Sequence, residues 1–196
     1  MWLSDIDQYV TVLQTSSSAV LPLMVNLPGL APACHIGVYL PTAGLEEQFM
    51  AALSELDTTI STVLEKFGME TILFIRGDMN ISSRNQSRSP LLSHMMTKHK
   101  LTRVQTSHPS YHHFMGVGGE FDSDLDVILH TARDDVQELL SQQVCKNNHP
   151  LIESHHDLLI SRVVLPPVET PVLEPVPQIC ALNPQAALQI LVLIDL

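Results

Sequence analysis

Basic side chains are scarce in this chain. Ten Lys and Arg stand against 21 Asp and Glu, for a net charge of -11. So acidic a chain does not coat nucleic acid by bulk electrostatics. Cysteine is scarce as well. Cys34, Cys145 and Cys180 are too scattered to make a metal-ligand spacing or a disulfide framework, which fits a reducing compartment. Long apolar runs are missing: the longest, around Leu188 to Ile194, falls far short of a bilayer span. The N-terminus lacks the basic segment and apolar core of a secretory signal. These absences predict an intracellular chain, nuclear or cytoplasmic, with no membrane partner. No internal repeat is visible, and nothing fixes an oligomeric state. What is present, 196 residues at 45% hydrophobic content, suits one globular domain with a tail.

The chain is organised around Thr71 to Asn80, TILFIRGDMN. Ile72, Leu73, Phe74 and Ile75 form an unbroken apolar run, which predicts a strand covered on both faces. Gly77 then permits a sharp turn that presents Asp78 and Asn80. A carboxylate and an amide two residues apart, past the end of a buried strand, can hold a hard cation, orient a water or donate to a charged oxygen. An Asx-type turn that simply closes the strand is the bland alternative.

Upstream, Tyr9 to Leu13 and Ala19 to Val25 are apolar segments separated by a polar break, which predicts a hairpin with Pro22 at an edge or bulge. His35 to Leu40 is the next predicted strand. Apolar residues then recur every three or four positions from Leu45 to Phe67, and Gly68 stops the pattern. The spacing predicts a helix over 45–67 with Glu46 and Glu47 in its first turn, where the helix dipole favours them. Strand, helix and strand over 35–76 make an α/β unit. Downstream, a second helix is expected from Pro90 through Met96, strands at Tyr111–Phe114 and Leu125–Leu129, a short amphipathic helix over Asp134–Gln143, and a last strand at Leu158–Val164. Six prolines lie between 166 and 184, and no Lys or Arg follows Val163. The expected division is a domain over 1–162 and a Pro-rich, extended tail over 163–196.

Candidate chemistry clusters in loops at strand ends. Tyr39 precedes Pro41. Asp78 and Asn80 follow the central strand. Asp126 lies inside the apolar run Leu125 to Leu129, and His156 stands at the entry to the last strand. A carboxylate within an apolar strand needs a partner, because burial alone would neutralise it. Loops at one edge of an α/β sheet converge, and this set offers a phenol, two carboxylates, an amide and an imidazole. Such groups suit metal-assisted phosphodiester hydrolysis. Arg76, Arg84, Arg88, Lys98, Lys100 and Arg103 make a local run of positive charge after the acidic loop, with Arg84 and Arg88 the candidates to receive a phosphate. A solvated helix face explains the same run. His108, His112 and His113 have no cysteine among them and no fixed helical spacing to support a zinc site.

In order, the pieces Val38-Tyr39-Leu40-Pro41, Gly77-Asp78-Met79-Asn80, Ser123 through Ile128 and Ser154-His155-His156 resemble the endonuclease/exonuclease/phosphatase superfamily. The likeness is greatest to the apurinic-endonuclease-like domains beside reverse transcriptases in LINE-type elements, and it spans about residues 8–162. The resemblance implies part of a four-layer α-β-β-α sandwich of the DNase I-like type, Mg2+ as cofactor, and nucleic acid as partner, DNA rather than RNA. It also implies roles. Tyr39 would donate to the scissile phosphate, Asp78 would orient or deprotonate the attacking water, and Asn80 would help place both. Asp126 would fix the ring of His156, which would contact the phosphate. Asp78, with Asp126 as a second oxygen donor, would hold the metal.

The sequence departs from that family in two places. His155 stands where the family has an acidic residue, and Asp157 could replace it only if the loop shifted. The family's opening strand, with an Asn and then a metal-binding Glu, has no match before Tyr39, so the chain resembles the later portion of the domain. Glu46 and Glu47 lie on the following helix and do not take that role. Two functions therefore stay open: an endonuclease-like phosphodiesterase, and a catalytically degenerate remnant that serves as a binding module.

Overall fold

The computed structural model describes residues 7–15, 18–82, 87–106, 109–114, 120–123, 125–144, 156 and 158–168. The strands are β1 (Val10–Val12), β2 (Val20–Val25), β3 (Ala33–Tyr39), β4 (Ile72–Asp78), β5 (Leu101–Arg103), β6 (Tyr111–Phe114), β7 (Glu120–Ser123), β8 (Asp126–Thr131), β9 (Gln137–Val144) and β10 (Leu158–Val164). Helix α1 (Glu46–Phe67) joins β3 to β4, and α2 (Ser89–Lys98) leads into β5. Six strands form one mixed sheet in the order β1-β2-β3-β4-β8-β5. Strands β3 and β4 run parallel, as a helical crossover requires, and their other neighbours pair antiparallel. The pairs β6–β7 and β9–β10 make two further small sheets.

Alternation along the strands sorts side chains to two faces. Cys34, Ile36 and Val38, Leu73 and Ile75, and Val127 and Leu129 pack in one core with Phe49, Leu53, Leu56 and Ile60 of α1 and Leu92 and Met95 of α2. The residues between them point the other way. There Ala33, Ile72 and Phe74 pack with Val136 and Val163. Strand β4 is accordingly buried at every position, as its unbroken apolar run predicts.

Helix α1 ends where Gly68 takes φ +98°, a left-handed turn costly for other residues, and its N–H caps Leu64 O at 3.0 Å. Gly77 meets a stricter demand. Its φ is +145°, and a Cβ there would fall 1.9 Å from the carbonyl oxygen of Val38. Only glycine lets β3 and β4 approach this closely at the point where Asp78 leaves the sheet.

One sequence expectation is corrected. Residues 134–143 do not form a helix: Gln137–Val144 is β9, paired antiparallel along β10 from Val144↔Leu158 to Gln137↔Val164. The amphipathic spacing was compatible with either state, and ladder partners about twenty residues away decided it. Strand β5 lay unrecognised in three residues, too short to show a period. Past residue 162, backbone bonds continue to residue 168. Ala31 donates to Pro166 O at 3.1 Å and Val168 to Gly29 O at 3.1 Å, which ties this segment to the loop before β3. Residues 169–196, most of the expected tail, lie outside the described residues.

Candidate active site

Register builds the site. Tyr39 pairs with Asp78, and Asp78 pairs with Asp126, so three strands place these residues in one row where β3 and β4 end and β8 begins. Residues directly opposite in a ladder share a face, and this row lies on the face away from α1. His156 reaches it through a bridge to Tyr111, whose ring meets the imidazole edge-on at 4.9 Å.

Asp126 is the anchor of the histidine. Its carboxylate lies 2.9 Å (Oδ2) and 3.2 Å (Oδ1) from His156 Nδ1. Ser110 Oγ donates to Oδ2 at 2.7 Å and receives the Asp126 N–H at 3.3 Å. A carboxylate accepting at Nδ1 fixes the tautomer and leaves Nε2 facing outward. That nitrogen stands 4.0 Å from Asp78 Oδ2. The imidazole thus lies between two carboxylates that are thirty or more residues away from it, or from each other, along the chain.

Asp78 is 4% exposed. Asn80 sits at φ +49°, and from that left-handed position its N–H donates to Asp78 Oδ1 at 2.8 Å. Its amide nitrogen donates to Asp78 Oδ2 at 2.9 Å and to Leu40 O at 2.7 Å. The Asn80 donors are thus engaged within the protein, and its side-chain oxygen is the acceptor that remains. Burial pushes the Asp78 carboxyl up to about 6; the Asn80 N–H opposes this, and the neighbouring Asp126 charge adds to it. A carboxylate with that affinity for a proton is a stronger base than an exposed one, yet it is ionised in about nine molecules in ten at pH 7.

Tyr39 closes the row at 44% exposure, its backbone N–H held by Ala19 O at 2.9 Å. Its phenol is open to solvent. Ser110 and Tyr111, which hold Asp126 and His156, carried no sequence signal beyond standing before and at the start of the short strand β6.

Among the described residues the expected basic run does not lie on one open surface. Arg88 is 1% exposed and faces the interior, over the ring of Phe49 at 3.9 Å. It holds Glu46 and loop carbonyls rather than presenting its fork to a phosphate. Arg76 is buried beneath the site row and donates from Nη1 to His35 Nδ1 at 2.8 Å. Lys98 pairs with Asp57. Arg84, His108, His155 and Asp157 lie outside the described residues. The run of basic residues over 76–103 reads the same in sequence for a buried as for an exposed cation, so only packing separates them.

The metal expectation divides in the same way. Among the described residues no group of three or more His, Cys, Asp or Glu side chains could hold an ion. Asp126, expected as a second oxygen donor, instead turns its carboxylate to His156 and Ser110. Asp78 and the Asn80 oxygen remain. Magnesium accepts so sparse a set, because it binds through one or two carboxylates and keeps several waters.

No sequence family matches the chain, and no curated protein matches it. Solved structures match it in shape. The endonuclease domain of TRAS1, a telomere-specific non-LTR retrotransposon, aligns with a TM-score of 0.57 at 17% identity, over 82% of this chain and 70% of that one. TDP2 from Caenorhabditis elegans aligns with a TM-score of 0.53 at 15% identity, over 80% of this chain and 49% of that one. The chain thus spans between half and seven-tenths of these two structures. Its mixed sheet, backed by two helices on one face, has the fold of the endonuclease/exonuclease/phosphatase superfamily, the DNase I-like α/β fold.

Proposed function

We propose that this chain is a divalent-metal-dependent phosphodiester hydrolase of the endonuclease type, acting on nucleic acid and on DNA in preference to RNA. One observation supports this above the others: His156 bridges the space between Asp126 and Asp78, with Nδ1 at 2.9 Å from one carboxylate and Nε2 at 4.0 Å from the other. In this reading Asp126 and Ser110 hold the imidazole so that Nε2 meets the phosphate or the water that attacks it. Asp78, aligned by Asn80, orients that water and takes its proton. The Tyr39 phenol donates to a phosphate oxygen as charge develops there. Asp78 and the Asn80 oxygen would hold the Mg2+, which when bound neutralises phosphate charge. The fold relatives, an endonuclease domain among them, favour the same substrate class.

A plasmid-nicking assay with Mg2+ or EDTA tests this, with an RNA substrate alongside. Cleavage that needs Mg2+ and falls by about 10²-fold or more in Asp78→Ala supports the hydrolase. Equal background in both chains favours the second reading, a degenerate remnant acting as a binding module. The sparse ligand set at Asp78 is the observation that keeps that reading in play.

A further inference from the structure

We propose that Arg88 is a positioning residue that clamps together the two strand-end loops carrying the site. The inference rests on the hydrolase reading for its effect on turnover but not for the clamp itself. Arg88 stands at the start of α2, far in sequence from most of what it touches. Nη1 donates to Pro41 O at 2.8 Å and to Asn80 O at 3.2 Å. Nη2 donates to Thr42 O at 3.0 Å and to Glu46 Oε1 at 2.8 Å, and Nε to Glu46 Oε2 at 3.2 Å. One planar fork therefore joins the loop after β3, the loop after β4 and the first turn of α1, with its flat face on Phe49.

The geometry explains why arginine is needed. Carbonyls at the ends of two parallel strands diverge, and a rigid guanidinium spans them where a point-charge ammonium could satisfy only some. Burial at 1% exposure makes each of those bonds costly to lose. The consequence reaches the site through Asn80. Its carbonyl is held by Arg88 while its N–H and side-chain amide hold Asp78 and Leu40. Asn80 occupies a left-handed conformation, which asparagine tolerates when its side chain bonds locally, and the clamp adds a bond at its carbonyl. The Leu40 N–H, bonded to Asp78 O at 2.9 Å, closes the circuit between the loops.

The test compares wild type with Arg88→Lys, which keeps the charge and loses the fork, and with Glu46→Gln at an exposed position. Amide hydrogen exchange at Asn80 is read against global stability, and turnover is measured per folded molecule. The clamp predicts that Asn80 protection falls about tenfold further in Arg88→Lys than the loss of global stability accounts for. It also predicts that kcat drops at least tenfold with KM within threefold. Glu46→Gln gives a smaller change in the same direction, and it decides the matter alone if Arg88→Lys does not fold. Asn80 protection that merely tracks global stability in the folded variants, or kcat unchanged where Asn80 is loosened, overturns the inference. If wild type cleaves nothing, the hydrolase reading fails, and Asn80 exchange still decides whether the clamp exists.

Discussion

Two buried ionisable residues on the same sheet face work against each other. His35 is held down to about 3, first by burial and then by the Arg76 charge. Arginine only donates, so His35 Nδ1 must accept and the ring must be neutral. A histidine whose pKa is lower folded than unfolded contributes stability above its ordinary value, and that contribution is lost as pH falls from about 6.5 toward 3. Asp78 is the reverse case. Its carboxyl is raised to about 6, so its contribution is complete near pH 4 and is lost as pH rises through 6, by up to about 3 kcal/mol. Between pH 4 and 6 the two slopes oppose. In urea titrations across this range, Asp78→Asn is expected to leave stability rising with pH. His35→Gln, which keeps an acceptor for Arg76, is expected to leave it falling. Identical pH slopes in both variants would contradict the assignment.

At the scale of elements, the β3–β4 crossover is the part on which the site depends. Helix α1 covers the two strands through Phe49, Leu53, Leu56 and Ile60, each 8% exposed or less. Leu56→Ala is expected to cost about 2–5 kcal/mol, as for other fully buried leucines, and a urea midpoint shift measures it. Gly77→Ala should be as damaging for a different reason. The added methyl would overlap the Val38 carbonyl, at a φ that alanine rarely adopts. Because Val38 precedes Tyr39 and Gly77 precedes Asp78, this variant should also disturb the Tyr39–Asp78 pairing, seen as altered backbone amide shifts at both residues.

For the whole molecule, coverage of the second sheet face is uneven. Phe74 and Ile72 are fully buried there, whereas Leu21 on β2 is 53% exposed and Val12 on β1 is 63% exposed. Their register partners, Gly37 and Leu23, belong to the same face as Tyr39. Leu21→Lys is expected to change the unfolding free energy by less than about 0.5 kcal/mol. A loss near that of a core leucine in the same titration would show that the position is covered. No described helix is long and apolar enough to cross a membrane.

What the sequence alone determined was local and periodic. An unbroken apolar run marked β4 because a strand covered on both faces has no polar side to show. The spacing of Phe49, Leu53, Leu56 and Ile60 marked α1, and Asp126 marked itself as partnered because an apolar strand does not tolerate a lone carboxylate. The tertiary structure decided whatever depended on distant partners. It made 137–144 a strand, since ladder bonds to β10 outweigh a short helical pattern. It buried Arg76 and Arg88, since a cation's surroundings are written in other segments. And it aligned Tyr39, Asp78 and Asp126 through register across three strands and brought His156 between the two carboxylates through a bridge to Tyr111, pairings that no single segment encodes.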